Sequence, residues 1–188
     1  MVMKKALLIG LSGMLLLFGT VSIAGATPIT LIDTTIFTAT GTNPNEDLVD
    51  YGWGEVNKLD GIGDYVVWTH HYDFIPAVQT VLSGNLSVYL RDEDDGGFWD
   101  SCEFAFGWAE DGTWGLGEVD TGIYSYDVTA KFLYDGEFTI TLVSLWGDFY
   151  IDQSELEITY EPVPEPATML LFGVGLVGLA GIHRKKRA

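Results

Sequence analysis

Basic residues are scarce in this sequence, and most of them are not where a fold would use them. The chain has nine Lys and Arg against 27 Asp and Glu in 188 residues. Six of the nine lie at the two ends: Lys4, Lys5, Arg184, Lys185, Lys186 and Arg187. Residues 27–162 therefore hold 26 acidic side chains against Lys58, Arg91 and Lys131, a formal charge of −23. A field of that sign repels phosphate backbones and excludes nucleic-acid binding. It attracts cations and keeps an exported protein soluble. Cysteine is nearly absent as well. Cys102 is alone, which excludes an internal disulfide and leaves stability to the core and to any bound metal. Cys102 opens the strand-like run Cys102-Glu103-Phe104-Ala105-Phe106, where it reads as a small buried residue. Three His and one Cys are too few for a transition-metal site. No stretch of 27–162 has a capped helical period, no internal repeat is visible, and no G-x-S-x-G nucleophile elbow is present. Disorder is excluded too, because the chain carries six Trp, nine Tyr and ten Phe.

What is present begins with an export signal. Two lysines precede an uncharged apolar run at 6–21, and Ala24-Gly25-Ala26 supplies the small-residue exit that signal peptidase reads. Residues 1–26 are thus expected to be a signal peptide, cleaved so that the mature chain starts at Thr27. An uncleaved membrane anchor is the alternative.

The middle alternates with period two. Leu86, Val88 and Leu90 share one strand face; Phe138, Ile140 and Leu142 share another; so do Leu156, Ile158 and Tyr160. Val66, Trp68, His70, Tyr72 and Phe74 form a fourth row, and Phe104, Phe106 and Trp108 a fifth. Further strands are expected at 31–40, 51–57 and 123–130. Turns are marked by Asp60-Gly61, Asp95-Gly96-Gly97, Asp111-Gly112 and Asp135-Gly136. Seven to nine short antiparallel strands around one core predict an all-β fold, a single jelly-roll-like β-sandwich over 27–161.

Residues 162–188 have a three-part order. Glu161-Pro162-Val163-Pro164-Glu165-Pro166 is a proline-stiffened, extended stalk. Residues 167–182 follow, 16 without a charge; as a helix they reach about 24 Å, short of the roughly 30 Å hydrocarbon core. Snorkelling of Arg184 and Lys185 and local thinning cover the deficit. The basic tail at 183–188, with Arg184, Lys185, Lys186 and Arg187, then acts as a cytoplasmic stop. This order, and the string Val163-Pro164-Glu165-Pro166-Ala167-Thr168-Met169-Leu170-Leu171-Phe172-Gly173, closely resembles the PEP-CTERM sorting signal of Gram-negative bacteria. The resemblance implies processing by an exosortase, a membrane-embedded cysteine transpeptidase. It also implies an inner-membrane-anchored precursor that becomes a cell-surface or matrix protein of a bacterium making exopolysaccharide. The Val67-Trp68-Thr69-His70, Leu82-Ser83-Gly84-Asn85-Leu86 and Gly147-Asp148-Phe149-Tyr150 strings are similar to ectodomains that precede this signal, a likeness that brings no activity with it.

Several constellations invite chemistry. Asp92-Glu93-Asp94-Asp95 places four carboxylates in succession, which repel unless solvent or a cation neutralises them. Asp92, Asp94 and Asp95 offer oxygens for Ca²⁺, with Asp73, Asp100 or Asp152 to complete the set; the other reading is a solvated acidic loop guarding a sheet edge. Lys58-Leu59-Asp60-Gly61-Ile62-Gly63-Asp64 reads as a glycine turn before it reads as a second calcium loop. His70 and His71 point to opposite strand faces and cannot chelate one ion, so His70 is expected to be a packed, hydrogen-bonded core residue. Trp53, Trp99, Trp114 and Trp146 lie in turn-rich or glycine-flanked segments, with Trp99 and Trp114 the first candidates for stacking on sugar rings, while Trp68 and Trp108 are expected in the core. The expected function is a non-enzymatic, exosortase-sorted surface or matrix protein that structures or binds exopolysaccharide, with calcium as its one candidate cofactor. The alternative is a polysaccharide-modifying enzyme on a jelly-roll scaffold, which fold alone cannot separate from a binding module.

Overall fold

The computed structural model describes residues 26–92 and 103–164, together with Gly173 and Gly175. Among these the chain forms eleven strands: β1 (Ile29–Thr38), β2 (Gly41–Asn43), β3 (Leu48–Tyr51), β4 (Lys58–Asp60), β5 (Tyr65–His71), β6 (Val78–Asp92), β7 (Phe104–Ala109), β8 (Gly112–Glu118), β9 (Gly122–Val128), β10 (Glu137–Trp146) and β11 (Asp148–Pro162). They make two antiparallel sheets. The first runs β2-β1-β11-β6-β9, with β4 beside the start of β11; the second runs β3-β5-β10-β7-β8. The fold is an all-β, jelly-roll-like sandwich, as the period-two pattern predicts, and its compact unit spans Thr27–Val163.

The two inner faces supply the core. Leu86, Val88 and Leu90 on β6 and Leu156 and Ile158 on β11 meet Val66 and Trp68 on β5 and Phe138, Ile140 and Leu142 on β10, all fully buried. Trp68 packs edge-to-face on Phe37 at 5.2 Å, the arrangement its ring quadrupole favours. The expected rows on β5, β6, β10 and β11 therefore face inward.

Two expectations are corrected. The strand expected over 51–57 stops at Tyr51. Beyond it, Gly54 takes φ +82° and a side chain on Gly52 would strike the Asp64 carboxylate, so this segment turns instead of pairing. The row Phe104, Phe106 and Trp108 has the right period and the opposite phase. Glu103, Ala105 and Gly107 face the interior, while Trp108 is 43% and Phe104 41% exposed. The neighbouring strand causes this. Trp114 of β8 lies over Gly107, where a Cβ would come within 2.6 Å of its ring. The interior at this point is filled from β8, so β7 can present only small residues to it.

Candidate functional site

The reversed phase of β7 builds the most distinctive surface of the domain. Phe104, Phe106 and Trp108 stand on the outer face of the second sheet, with the Phe106 and Trp108 rings 6.1 Å apart and tilted. At strand rise the row spans about 13 Å. Cross-strand pairs share a face, so the register fixes what borders it. On β8 the partners are Glu118, Gly115 and Thr113, mostly small, which leaves the aromatic rings uncovered on that side. On β10 they are Trp146, Val143 and Thr141. Trp146 is 48% exposed and extends the row beyond Phe104, while Val143 and Thr141 pair in turn with Tyr65 and Val67 of β5. Such a contiguous apolar patch on a strongly acidic, exported domain marks an interaction surface.

Carboxylates border this ridge. Glu118 is opposite Phe104. Glu110, in the β7–β8 turn, accepts the Thr139 N–H at 3.0 Å. Asp50 accepts the Tyr65 hydroxyl at 2.9 Å, and that hydrogen bond raises the phenol's pKa. The basic residues of the domain are held elsewhere. Lys58 pairs with Asp148 at 2.9 Å, and Arg91 donates Nε and Nη2 to the two Asp152 oxygens at 3.0 and 3.2 Å while lying over the Tyr150 ring. Both sit on the first sheet. Lys131 lies over Phe132 in a 3₁₀ turn.

The expected sites fall differently. Trp114, a sequence candidate for sugar stacking, is half-buried. It stacks on Tyr126 of β9 at 5.1 Å and closes the seam between edge strands β8 and β9, so its ring is committed to packing. Trp108, expected in the core, is on the surface. Trp53 is exposed and donates Nε1–H to the Asp60 carbonyl at 3.1 Å. Trp99, Asp94, Asp95 and Cys102 lie outside the described residues. Asp92 ends β6, its N–H donating to Thr121 Oγ1 at 3.1 Å, and its Oδ1 is buried with no hydrogen-bond partner. Asp152 accepts the Arg91 Nε and Nη2 N–H groups on its two oxygens. Among the described residues no group of three or more His, Cys, Asp or Glu is placed to hold a metal. The 58–64 segment is the expected glycine turn: Gly61 and Gly63 have φ +90° and +84°. The buried Asp64 carboxylate organises it by accepting the N–H groups of Trp53, Asp60 and Tyr65 at 2.7–3.0 Å.

His70 is packed and hydrogen-bonded. Its Nδ1 is 2.7 Å from Asp33 Oδ2, and its Nε2 is 2.9 Å from Ser154 Oγ and 3.4 Å from Trp68 Nε1. Asp33 fixes the proton on Nδ1, and Nε2 accepts from Ser154 and Trp68. The connectivity is that of orienting acid, base and hydroxyl nucleophile. Yet His70 and Ser154 are fully buried between the sheets, so no substrate carbonyl can reach Oγ. The cluster instead ties β5 of the second sheet to β1 and β11 of the first. Beside it, Thr35 donates to Asp47 at 2.6 Å, and burial raises the Asp47 pKa.

At the chain's ends, Ala26 and Thr27 precede β1, and Ala24 lies outside the described residues. Val163 N–H donates to the Ala77 carbonyl at 2.8 Å, and Pro164 is exposed. Glu165, Pro166 and the basic residues Arg184, Lys185, Lys186 and Arg187 lie outside the described residues, as does all of the expected 167–182 helix but Gly173 and Gly175. Among the described residues no helix is long and apolar enough to cross a membrane.

Several solved structures show limited likeness. One is a family 36 carbohydrate-binding module in complex with calcium and xylotriose, 14% identical, covering 69% of this chain and 98% of that one at a TM-score of 0.36. A family 35 carbohydrate-binding module from Paenibacillus barcinonensis is also 14% identical, with 69% and 97% covered and a TM-score of 0.35. A family two carbohydrate esterase from Cellvibrio japonicus is 9% identical at 0.42, with 73% of this chain covered. The chain spans only 37% of that esterase's length. The fold assignment rests on the strand pairing and not on these likenesses. No curated protein sequence matches the chain. Residues 162–185, in contrast, match the PEP-CTERM protein-sorting motif, and the chain is thereby identified as carrying the C-terminal signal of an exported, exosortase-processed protein of Gram-negative bacteria.

Proposed function

We propose that the folded domain is a non-enzymatic glycan-binding module, carried to the cell surface or extracellular matrix by its sorting signal and retained there on exopolysaccharide. The observation that carries this reading is the ridge of exposed Phe104, Trp108 and Trp146 with half-buried Phe106 among them. Sugar rings offer flat C–H faces to aromatic surfaces, and a row of rings on a rigid sheet engages several units of a chain without first ordering a loop. Affinity for a short oligosaccharide is expected on the order of 0.1–1 mM, because few atoms are buried and hydroxyl desolvation offsets much of the gain. In a matrix, many copies on one polymer raise the effective affinity. Signal peptidase and an exosortase are the processing partners in this reading, and the membrane is contacted by the C-terminal segment before processing. Calcium belongs to the proposal at the 92–95 run, supported by the unpartnered Asp92 Oδ1, with the ion stiffening the β6–β7 connection.

Tryptophan fluorescence titrated with polysaccharide tests the main reading. Binding should saturate, and Trp108→Ala with Trp146→Ala should abolish it while the melting temperature changes little. Retained binding in the double variant would remove the ridge from the function. Release of reducing ends by the parent protein would replace the binding reading with the enzymatic one.

A further inference from the structure

We infer that the ridge selects by charge and takes a glycan bearing protonated amino groups, such as a hexosamine polymer, over a neutral one, and rejects uronate or sulfated chains. The inference rests on the glycan-binding reading and adds the substrate class. It follows from which charges border the aromatic row. Glu118 stands opposite Phe104, Glu110 lies in the turn that follows β7, and Asp50 sits beyond Tyr65. These carboxylates lie on three sides of rings that themselves present negative π-faces to a cation. Lys58 and Arg91 are on the other sheet, in ion pairs with Asp148 and Asp152. Lys131 is in the 3₁₀ turn after β9. Each described lysine and arginine is thus engaged by a carboxylate or a ring outside the Phe104–Trp108 row. Around this surface the folded segment carries −23, a field that concentrates cations and repels polyanions.

The probes are chitosan oligosaccharide, its fully N-acetylated counterpart and oligogalacturonate, matched in length. Each is titrated against the immobilised full-length chain in slightly acidic buffer. At roughly 20 mM salt the amino glycan should bind about tenfold more tightly than the acetylated one, and at about 0.5 M salt the gap should close. Oligogalacturonate should not bind. Glu110→Gln with Glu118→Gln should shrink the gap, since each change removes a charge while the amide introduced beside Asp111 keeps an oxygen for the Thr139 N–H. Trp108→Ala should weaken both ligands. Equal affinity for the three probes would overturn the inference and leave the glycan reading in place, whereas amino-glycan binding that survives Trp108→Ala would take the ridge out of both. Failure of all three probes to bind would sink both.

Discussion

Gly107→Ala should destabilise the domain, and Trp114→Ala should cancel that effect. The added methyl would sit 2.6–2.7 Å from three atoms of the Trp114 indole, closer than carbon atoms approach in folded proteins. The ring cannot retreat freely, because its other face is stacked on Tyr126 at 5.1 Å. Overpacking of this kind costs about 1–3 kcal/mol. Against it, replacing glycine in a strand with no positive φ recovers about 0.4–1 kcal/mol from the unfolded chain. The net is a loss of about 1–2 kcal/mol, or roughly 4–7 °C in melting temperature for a domain of about 140 residues. Once Trp114 is truncated the clash is gone and only the gain remains, so Gly107→Ala becomes neutral or slightly stabilising. The coupling in the double-mutant cycle is therefore about 2 kcal/mol, well above the few tenths expected of independent sites. Urea denaturation followed by far-UV circular dichroism measures it without depending on the tryptophans being altered. The same glycine substitution in a Trp108→Ala background should keep its full cost. Additivity with Trp114 together with coupling to Trp108 would refute the reasoning, because it would put Gly107 on the outer face and turn the aromatic row inward.

His70→Ala should cost about 2–4 kcal/mol in urea denaturation, since it strands the buried Ser154 hydroxyl and the Asp33 carboxylate; a loss below about 1 kcal/mol would mean the sheets do not depend on this tie. The Asp47 pKa is raised by burial, so the native state holds its proton more tightly than the unfolded chain, and its contribution to stability falls as pH rises from 3.8 through the folded value. Asp47→Asn keeps an acceptor for Thr35 and should gain on the parent in melting temperature between acidic and neutral pH; a difference independent of pH would show that Asp47 ionises without penalty. Calcium should raise the melting temperature by mass action and a chelator should lower it, with Asp94→Asn plus Asp95→Asn removing most of the response; an unaltered response would move the ion to another site. Mass spectrometry of surface material should find a chain starting near Thr27 and ending within 164–167, and a surface form retaining Arg184–Arg187 would argue for a plain anchor.

The fold was legible because burial on one face of a sheet writes itself into the sequence as alternation. Leu86, Val88 and Leu90 alternate with Ser87 and Tyr89, and only one phase puts all three apolar side chains inside. The same signal is silent about phase when both faces carry aromatic or small residues. In β7 the choice lay between Phe104, Phe106 and Trp108 on one face and Ala105 and Gly107 on the other, and in β8 between Trp114 and Leu116 and the smaller Thr113 and Gly115. The Ala109↔Gly112 register places Gly107 opposite Trp114, and so Trp108 and Trp114 on opposite faces. That much is readable from the two-residue turn at Glu110-Asp111. Which of the two tryptophans faces inward depends on the space between sheets at that edge, a property of the whole sandwich. The decisive hint lay in glycine: Gly107 fits where a large ring must pass, and Gly115 fits where nothing covers the surface. The Asp33–His70–Ser154 cluster was illegible for another reason, since its members are 37 and 84 residues apart and meet only when β1, β5 and β11 are stacked.

The end of the fold and the start of the matched sorting motif meet within a few residues. β11 is an interior strand of its sheet, with β1 and β4 on one side and β6 on the other. Its last paired residue is Pro162, opposite Val78, and the Val163 N–H reaches Ala77. Pro164 has no N–H to donate, and the Val163 bond is the last backbone hydrogen bond of this strand among the described residues. A cut within 164–167 therefore removes no strand, whereas one a few residues earlier would take Tyr160, which is almost wholly buried. Pro164 is already exposed where the last backbone hydrogen bond ends, so the folded domain stays whole when the chain beyond it is processed.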